Sequence, residues 1–305
     1  MNGTIDIEGL KKTFADVVAV ADLHLQVRKG EMVGLIGPDG AGKTTTMRIL
    51  CGLLLADSGR CLVGGLDAAR EVRQIRQFVG YMPQRFSLYP DLTVAENLRF
   101  FSDLFRVSRQ QREQRLQRLL EFSRLGPFAQ RQAQALSGGM KQKLALSCTL
   151  IHTPEILLLD EPTTGVDPVS RREFWDILAD LRREGVTILV STPYMDEAAR
   201  CDRVTFVHKG RVLLDTVPAQ IPSFHRGTLL EVRGPNMVTL AARLRASGRF
   251  GTVQVFGDRL HIGGDSDERT LTGHMHTLLN EAERAAMTIK AIPAGIEDVF
   301  VQLLD

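Results

Sequence analysis

The sequence predicts an α/β fold, a parallel sheet with helices on both faces, followed by a small α+β domain. Three observations carry this. Short, continuously apolar runs, Met32 to Ile36 and Ile156 to Leu159, have the length and composition of fully buried strands. Between and after such runs the apolar residues take a helical period. Phe174, Ile177, Leu178 and Leu181 stand at i, i+3, i+4 and i+7. Strands alternating with helices imply a covered parallel sheet. Beyond about Thr216 the order changes to β-α-β-β-α-β, which predicts a ferredoxin-like α+β domain.

Taken along the chain, Ile5 and Ile7 alternate with polar neighbours, as do Leu23, Leu25 and Val27, and both stretches read as strands. After the strand at Met32 to Ile36, a helix is expected from Thr44 to about Leu54. A buried strand is expected at Phe78 to Met82, and helix from Thr93 to Leu125 with Leu116, Leu119 and Leu120 on one face. Then come helix (Lys141 to Ile151), strand (Ile156 to Asp160), helix (Ser170 to Arg183) and strand (Thr187 to Ser191). A hairpin follows, Val204 to His208 and Val212 to Leu214, turning at Lys209-Gly210.

Pro218 and Pro222, with His225, Arg226 and Gly227 beyond, mark a joint. The tail reads strand (Leu229 to Val232), helix (Val238 to Leu244), strand (Val253 to Phe256), strand (Leu260 to Ile262), helix (Leu271 to Ala282), strand (Thr288 to Ile292). The expected organisation is therefore a first domain over 1–216 with a helical subdomain at about 86–140, a linker over 217–227, and an accessory domain over 228–305.

Composition narrows the class. With 305 residues, 44% apolar and 24% charged, the chain is long enough for a sizeable core and ordinary for a globular protein. A net charge of +2 gives no reason to expect nucleic acid as a partner. No stretch approaches the roughly 20 apolar residues of a membrane-spanning helix. Met1 to Leu10 carries Asp6 and Glu8 and no basic-then-apolar leader, so the expected place is the cytosol. Cys51, Cys61, Cys148 and Cys201 have neither zinc-site nor redox-pair spacing and read as free thiols.

The chemistry concentrates in two motifs. Gly37-Pro38-Asp39-Gly40-Ala41-Gly42-Lys43-Thr44 fits G-x-x-x-x-G-K-[ST] between a buried strand and a helix. Its glycines permit a tight loop whose inward backbone N–H groups, with the helix N-terminus, make an anion site. Residues Gly37 to Thr45 are therefore expected to hold the phosphates of ATP. Lys43 would meet the outer phosphates, and Thr44 would place its hydroxyl on Mg²⁺. The second motif is the apolar strand from Ile156, which ends in Asp160 and Glu161. Such carboxylates can stand at a buried strand's end because that end faces the ligand crevice. Asp160 is expected to hold Mg²⁺ and Glu161 to polarise the attacking water.

Leu136-Ser137-Gly138-Gly139-Met140-Lys141-Gln142, lying between those motifs and just before a helix, resembles the signature of ATP-binding cassette (ABC) proteins. The chain is identified on this ground as resembling an ABC transporter ATPase subunit over roughly residues 4 to 216, an α/β P-loop NTPase with a helical subdomain. The resemblance implies that Ser137, Gly138, Gly139 and Met140 meet the ATP of a facing subunit, so that the protein works as a homodimer or heterodimer. Met140 stands where the family has glutamine. The resemblance also makes Gln84 the Q-loop glutamine, touching Mg²⁺ or water and sensing the membrane partner. It puts Asp167, in Gly165-Val166-Asp167-Pro168, at the dimer interface. It sets Phe14 against the adenine, where the alternative is an ordinary core aromatic. Asp39 stands where asparagine or serine is usual and should point away from the phosphates. The tail Gly295-Ile296-Glu297-Asp298-Val299-Phe300 resembles the drug- and lipid-efflux branch. An exporter ATPase with a separate permease, at the cytoplasmic face of the membrane, is the implied role. The alternatives are a soluble non-transport ABC ATPase and a weakly hydrolysing regulatory subunit.

One position departs. In Ser191-Thr192-Pro193-Tyr194-Met195-Asp196-Glu197 the family expects a histidine where Pro193 stands. Proline has no side-chain donor and no N–H. Three readings stay open: a different ATPase subunit supplies the histidine at the other site, the homodimer hydrolyses slowly, or Tyr194 or another group compensates. Finally, Arg106, Arg109, Arg112, Arg115 and Arg118 recur every three residues. They read as a solvated helix face, or as a contact for acidic permease loops or anionic headgroups.

Overall fold

In the computed structural model, residues 4–85 and 88–304 are described, and the chain divides into two compact units after Val217. Residues 1–3, and 86–87 at the expected start of the helical subdomain, lie outside the described residues.

The first unit runs β1 (Ile5–Phe14), β2 (Val17–Val27), β3 (Met32–Ile36), α1 (Lys43–Leu50), β4 (Ser58–Val63), β5 (Leu66–Asp67), α2 (Val72–Phe78), β6 (Val79–Met82), α3 (Val94–Leu104), α4 (Arg109–Phe122), α5 (Gly138–Leu150), β7 (Ile156–Asp160), α6 (Pro168–Arg183), β8 (Thr187–Thr192), α7 (Met195–Ala198), β9 (Arg203–His208) and β10 (Arg211–Thr216). Its ten strands form one sheet in the order β5-β4-β1-β2-β10-β9-β3-β8-β7-β6.

The expected parallel sheet is only part of it. β9, β3, β8, β7 and β6 run parallel, whereas β1, β2, β4 and β5 pair antiparallel, as do β9 and β10. The difference follows from burial. Every residue of β3, β7 and β8 is buried, and each strand is built around an apolar run, which in β8 is Ile188 to Val190 between buried hydroxyl residues. The antiparallel strands leave part of their length exposed, and β4 buries only Cys61, Leu62 and Val63 after three exposed residues. That half-pattern is too short to read as a strand, and β4, β5 and α2 went unpredicted.

The parallel strands position the site. Their carboxyl ends share one edge of the sheet, the edge where α/β folds bind ligands. Register sets neighbours there: Asp160 lies beside Ser191, Leu159 beside Met82, and Ile36 beside Thr192.

Two helical expectations are corrected. The stretch from Thr93 to Leu125 holds two helices, because the chain turns through Arg106 with φ 54° and restarts at Ser108, which caps α4. α1 stops at Leu50, not Leu54, because the amides of Gly52 and Leu53 turn back to the carbonyls of Ile49 and Arg48. On α4, Leu116 and Leu119 are buried and Leu120 partly so. The arginine row there is largely engaged inside the chain: Arg112 pairs with Asp103, Arg118 with Glu184, and Arg115 donates to the Ile151 carbonyl.

The second unit contains β11 (Thr228–Arg233), α8 (Met237–Ser247), β12 (Thr252–Phe256), β13 (Arg259–Gly264), α9 (Glu268–Leu278), α10 (Glu281–Ala286), β14 (Thr288–Ala291) and α11 (Ile296–Leu304). Its sheet is fully antiparallel in the order β12-β13-β11-β14. Leu230, Val232, Leu240, Leu244, Ile262 and Met275 are in its core. The single helix expected from Leu271 to Ala282 is two, split where Asn280 forms a capping box with Glu283. The final residues, which carried no helix in the sequence reading, form α11. The expected linker is folded: Pro218–Phe224 is a 3-10 helix with Ile221 fully buried, and it packs with α11 in the second unit.

All four cysteines are free and buried. Burial raises each thiol well above its ordinary pKa, Cys61 to about 12. Ellman's reagent should therefore find no fast thiol in the native chain and four after denaturation in urea.

Candidate functional site

The phosphate-loop motif leaves the end of β3 and enters α1 at Lys43. Gly42 caps that helix with φ 101°, and a Cβ there would lie 2.4 Å from the Ala19 carbonyl oxygen. Only glycine fits this turn. A cavity of about 440 Å³ is lined by Asp39 to Thr45, with Val17, Ala19, Gln84 and Glu161. Asp39 is exposed.

The two motifs meet at this cavity. Lys43 is 4% exposed, and its Nζ donates to the carbonyls of Gly37 at 2.7 Å and Pro38 at 3.1 Å. It also stands 3.1 Å from Glu161 Oε1. Gln84 Nε2 donates to Glu161 Oε2 at 2.8 Å. Thr44 Oγ1 donates to Asp160 Oδ1 at 3.1 Å. Residues drawn from the ends of β3, β6 and β7 thus converge, 116 positions apart in the case of Thr44 and Asp160.

Asp160 is fully buried, and burial holds its carboxyl above the ordinary range against the opposing hydrogen bonds of Ser191 and Thr44. Its second oxygen, Oδ2, is buried with no hydrogen-bond partner. Such an orphan is costly unless something else satisfies it. A hard divalent cation with a preference for oxygen ligands fits that need, and the Thr44 hydroxyl lies beside it. The residues present therefore suit Mg²⁺, with Asp160 and Thr44 as its holders. Gln84 bonds to Glu161, which leaves its metal contact as an expectation.

Glu161 takes a left-handed backbone, φ 49°, which is uncommon for a non-glycine residue. Its N–H donates to both the carbonyl and the hydroxyl of Ser191, at 3.1 and 3.0 Å, and these bonds hold the conformation. Ser191 was not predicted as a site residue. The signal was present: a hydroxyl at the end of an apolar strand, in register with Asp160.

Ser137, Gly138, Gly139 and Met140 do not line this cavity. Ser137 caps α5 by accepting from the Met140 amide at 3.3 Å. A Cβ on Gly139 would lie 2.3 Å from Ser170 Cβ on α6, so a larger residue cannot stand there. Asp167 caps α6, accepting from the amides of Val169 and Ser170, and the Ser170 amide holds its carboxyl below the usual range. The heads of α5 and α6 are thus neighbours. Phe14 is 46% exposed, with Lys12 Nζ 5.4 Å from its ring centre. It is not a core aromatic, and it does not line the cavity either. It faces Val17, which does, across the β1–β2 ladder.

Pro193 follows β8. Beside it the Tyr194 ring is covered by Arg171, whose guanidinium lies 4.2 Å from the ring centre. Arg171 also pairs with Asp196 and with the buried Glu197. Glu197 in turn accepts from the hydroxyls of Thr163, at 2.7 Å, and Thr192.

A family model described as ABC transporter matches residues 20–164. The Nod factor export ATP-binding protein I of Burkholderia lata is 38% identical over 301 residues, 98% of this chain and 96% of that protein. The "Probable multidrug ABC transporter ATP-binding protein YbhF" of Escherichia coli (strain K12) is 47% identical over 237 residues. That match takes in 77% of this chain, and the chain spans only 41% of that relative's length. Among solved structures, one described as the ATP binding subunit of an ABC transporter superposes with a TM-score of 0.65 at 30% identity, covering 72% of this chain and 92% of that one. A dimeric ATP-binding cassette in a post-hydrolysis state with ADP and Pi gives 0.64 at 26% identity, covering 70% and 98%. The chain belongs to the ABC transporter family, with the α/β P-loop fold of its ATP-binding cassettes, and is homologous to multidrug and Nod factor export ATP-binding proteins.

Because burial raises the Asp160 carboxyl, its ionised form opposes folding. A raised folded pKa contributes stability below the unfolded value, near 3.8, that is lost as pH rises through the folded value. Asp160→Asn keeps an acceptor for Ser191 and Thr44 without the charge. Without nucleotide or metal it should melt above the wild type at pH 7, with a gap that narrows as pH falls toward 4. Calorimetry across pH reads this out, and a lower melting temperature at pH 7 would contradict it.

Proposed function

We propose that the chain is the ATP-hydrolysing subunit of an ABC exporter. The observation that carries the reading is the meeting of Lys43, Thr44, Gln84 and Glu161 at one cavity, with the buried Asp160 hydrogen-bonded to Thr44. ATP seats its phosphates on the backbone amides of residues 37–45, at the N-terminus of α1. Lys43 exchanges its carbonyl partners and Glu161 for the outer phosphates. Asp160 and Thr44 would hold Mg²⁺, which would supply charge neutralisation to the phosphates. Glu161, released from Lys43 and oriented by Gln84, aligns the attacking water and takes its proton.

The site is half of a composite. The heads of α5 and α6, with Ser137 to Met140 and Asp167, meet the ATP of a facing cassette, in a homodimer or a heterodimer. Closure of that dimer drives a separate transmembrane permease at the cytoplasmic face of the membrane. Three findings support this assembly: Ser137 to Met140 lie outside their own cavity, a similar cassette is described as dimeric, and no described helix is long and apolar enough to cross a membrane. The names of the relatives support export. The second unit is read as a ferredoxin-like accessory domain, from its strand order and direction.

Pro193 favours slow turnover. No group on its side chain can bond a phosphate, and Arg171 covers the ring of Tyr194. In steady-state assays of the purified chain with Mg-ATP, Glu161→Gln should lose about 100-fold or more in turnover while ATP affinity stays within a few-fold. Pro193→His should raise turnover by about tenfold or more. A Glu161→Gln variant as active as wild type would remove the hydrolytic assignment. Equal rates for wild type and Pro193→His would show that Pro193 does not limit the reaction.

A further inference from the structure

The two groups that Ser191 bonds at the acidic end of β7 are the Asp160 carboxylate and the Glu161 N–H. Ser191 is fully buried at the end of β8. Its hydroxyl donates to Asp160 Oδ1 at 2.8 Å and accepts from the Glu161 N–H at 3.0 Å, while its carbonyl accepts from the same N–H at 3.1 Å. A hydroxyl has one proton to donate, and this one is committed to Asp160. The same oxygen, Oδ1, accepts from Thr44 Oγ1 at 3.1 Å, so Ser191 and Thr44 together fix the carboxylate, whose Oδ2 is buried and without a hydrogen-bond partner. The two bonds to Glu161 hold a backbone at φ 49° that a glutamate does not adopt unaided.

The end of β8 is itself fixed. Thr192, the next residue, donates to the buried Glu197 and accepts from the Tyr194 amide at 3.0 Å. Glu197 is held from two other directions, by Thr163 at 2.7 Å and by Arg171 Nε at 3.1 Å. Arg171 ties the same loop to α6 through Asp196 and the face of Tyr194. A satisfied buried network of this kind is rigid. Ser191 therefore meets Asp160 and Glu161 from an anchored strand end.

We propose that Ser191 is a positioning residue for the metal and the attacking water: one hydroxyl fixes the Asp160 carboxylate beside the Thr44 hydroxyl, where the two would hold Mg²⁺, and fixes the backbone from which the Glu161 carboxylate projects. The proposal rests on the reading of this site as an Mg-ATP site.

The test uses the full chain and two variants. Ser191→Ala removes the hydroxyl. Ser191→Cys keeps nearly the same volume with a weak donor, so it separates hydrogen bonding from space filling. Binding of a fluorescent ATP analogue is measured in EDTA and then across a Mg²⁺ titration, and turnover is measured at saturating Mg-ATP. In EDTA both variants should bind the analogue within about twofold of wild type. The half-saturating Mg²⁺ concentration should rise about tenfold in Ser191→Ala, the effect of losing one hydrogen bond to a charged group, and by a smaller factor in Ser191→Cys. Turnover should fall by a similar factor, with less change in the KM for ATP.

Both variants matching wild type in Mg²⁺ dependence and turnover would overturn the proposal. So would a loss of affinity in EDTA as large as the loss in Mg²⁺, since Ser191 would then be acting on the fold alone. If Ser191→Ala does not fold, Ser191→Cys carries the comparison. A wild type that binds no nucleotide under any condition would instead sink the reading of the site.

Discussion

Two adjacent carboxylates at the end of an apolar strand set the terms for this structure. Asp160 and Glu161 are 0% and 6% exposed, and burying even one unpaired charge is prohibitive. The fold meets this cost from three sides. Lys43 approaches Glu161 from the end of β3, Gln84 from the end of β6, and Ser191 reaches both acids from β8. Those partners can converge only if β3, β8, β7 and β6 run parallel and in register, with their carboxyl ends on one edge. One oxygen is left over, Asp160 Oδ2, buried with no hydrogen-bond partner.

The same constraint explains what is rigid and what is shared. The phosphate loop, the acidic pair and the loop beyond β8 are joined by buried hydrogen bonds and form one body. The heads of α5 and α6 are well capped, by Ser137 and Asp167, yet they stand apart from the cavity. Pro193 follows β8 with no side-chain group to offer a phosphate, and the neighbouring Arg171 contacts hold its loop in place.

Much of the site was legible in the sequence because its motifs are local. Gly37 to Thr45 and Asp160-Glu161 are contiguous, and their spacing encodes a turn and a strand end. The central strands were legible because full burial gives each an unbroken apolar run, Met32 to Ile36, Ile156 to Leu159 and Ile188 to Val190. The antiparallel half of the sheet was not, because β4 buries three of its six residues and shows neither alternation nor a long apolar run. Ser191 escaped notice for a related reason. Its importance comes from lying in register with Asp160, a fact of strand pairing that spans 31 residues of sequence. The linker and the break at Asn280 were misjudged where capping and a single buried side chain, Ile221, outweighed the proline and apolar patterns.

The central claim is that the Gly37–Thr45 loop and the acidic end of β7 form one Mg-ATP site joined through Lys43. Equilibrium binding of ATP in the presence of Mg²⁺, measured by calorimetry on the wild type and on Lys43→Ala, tests it most directly. Saturable binding near one ATP per chain, weakened at least about tenfold in Lys43→Ala, is the expected result. Undiminished binding in Lys43→Ala would place the nucleotide elsewhere and contradict the account.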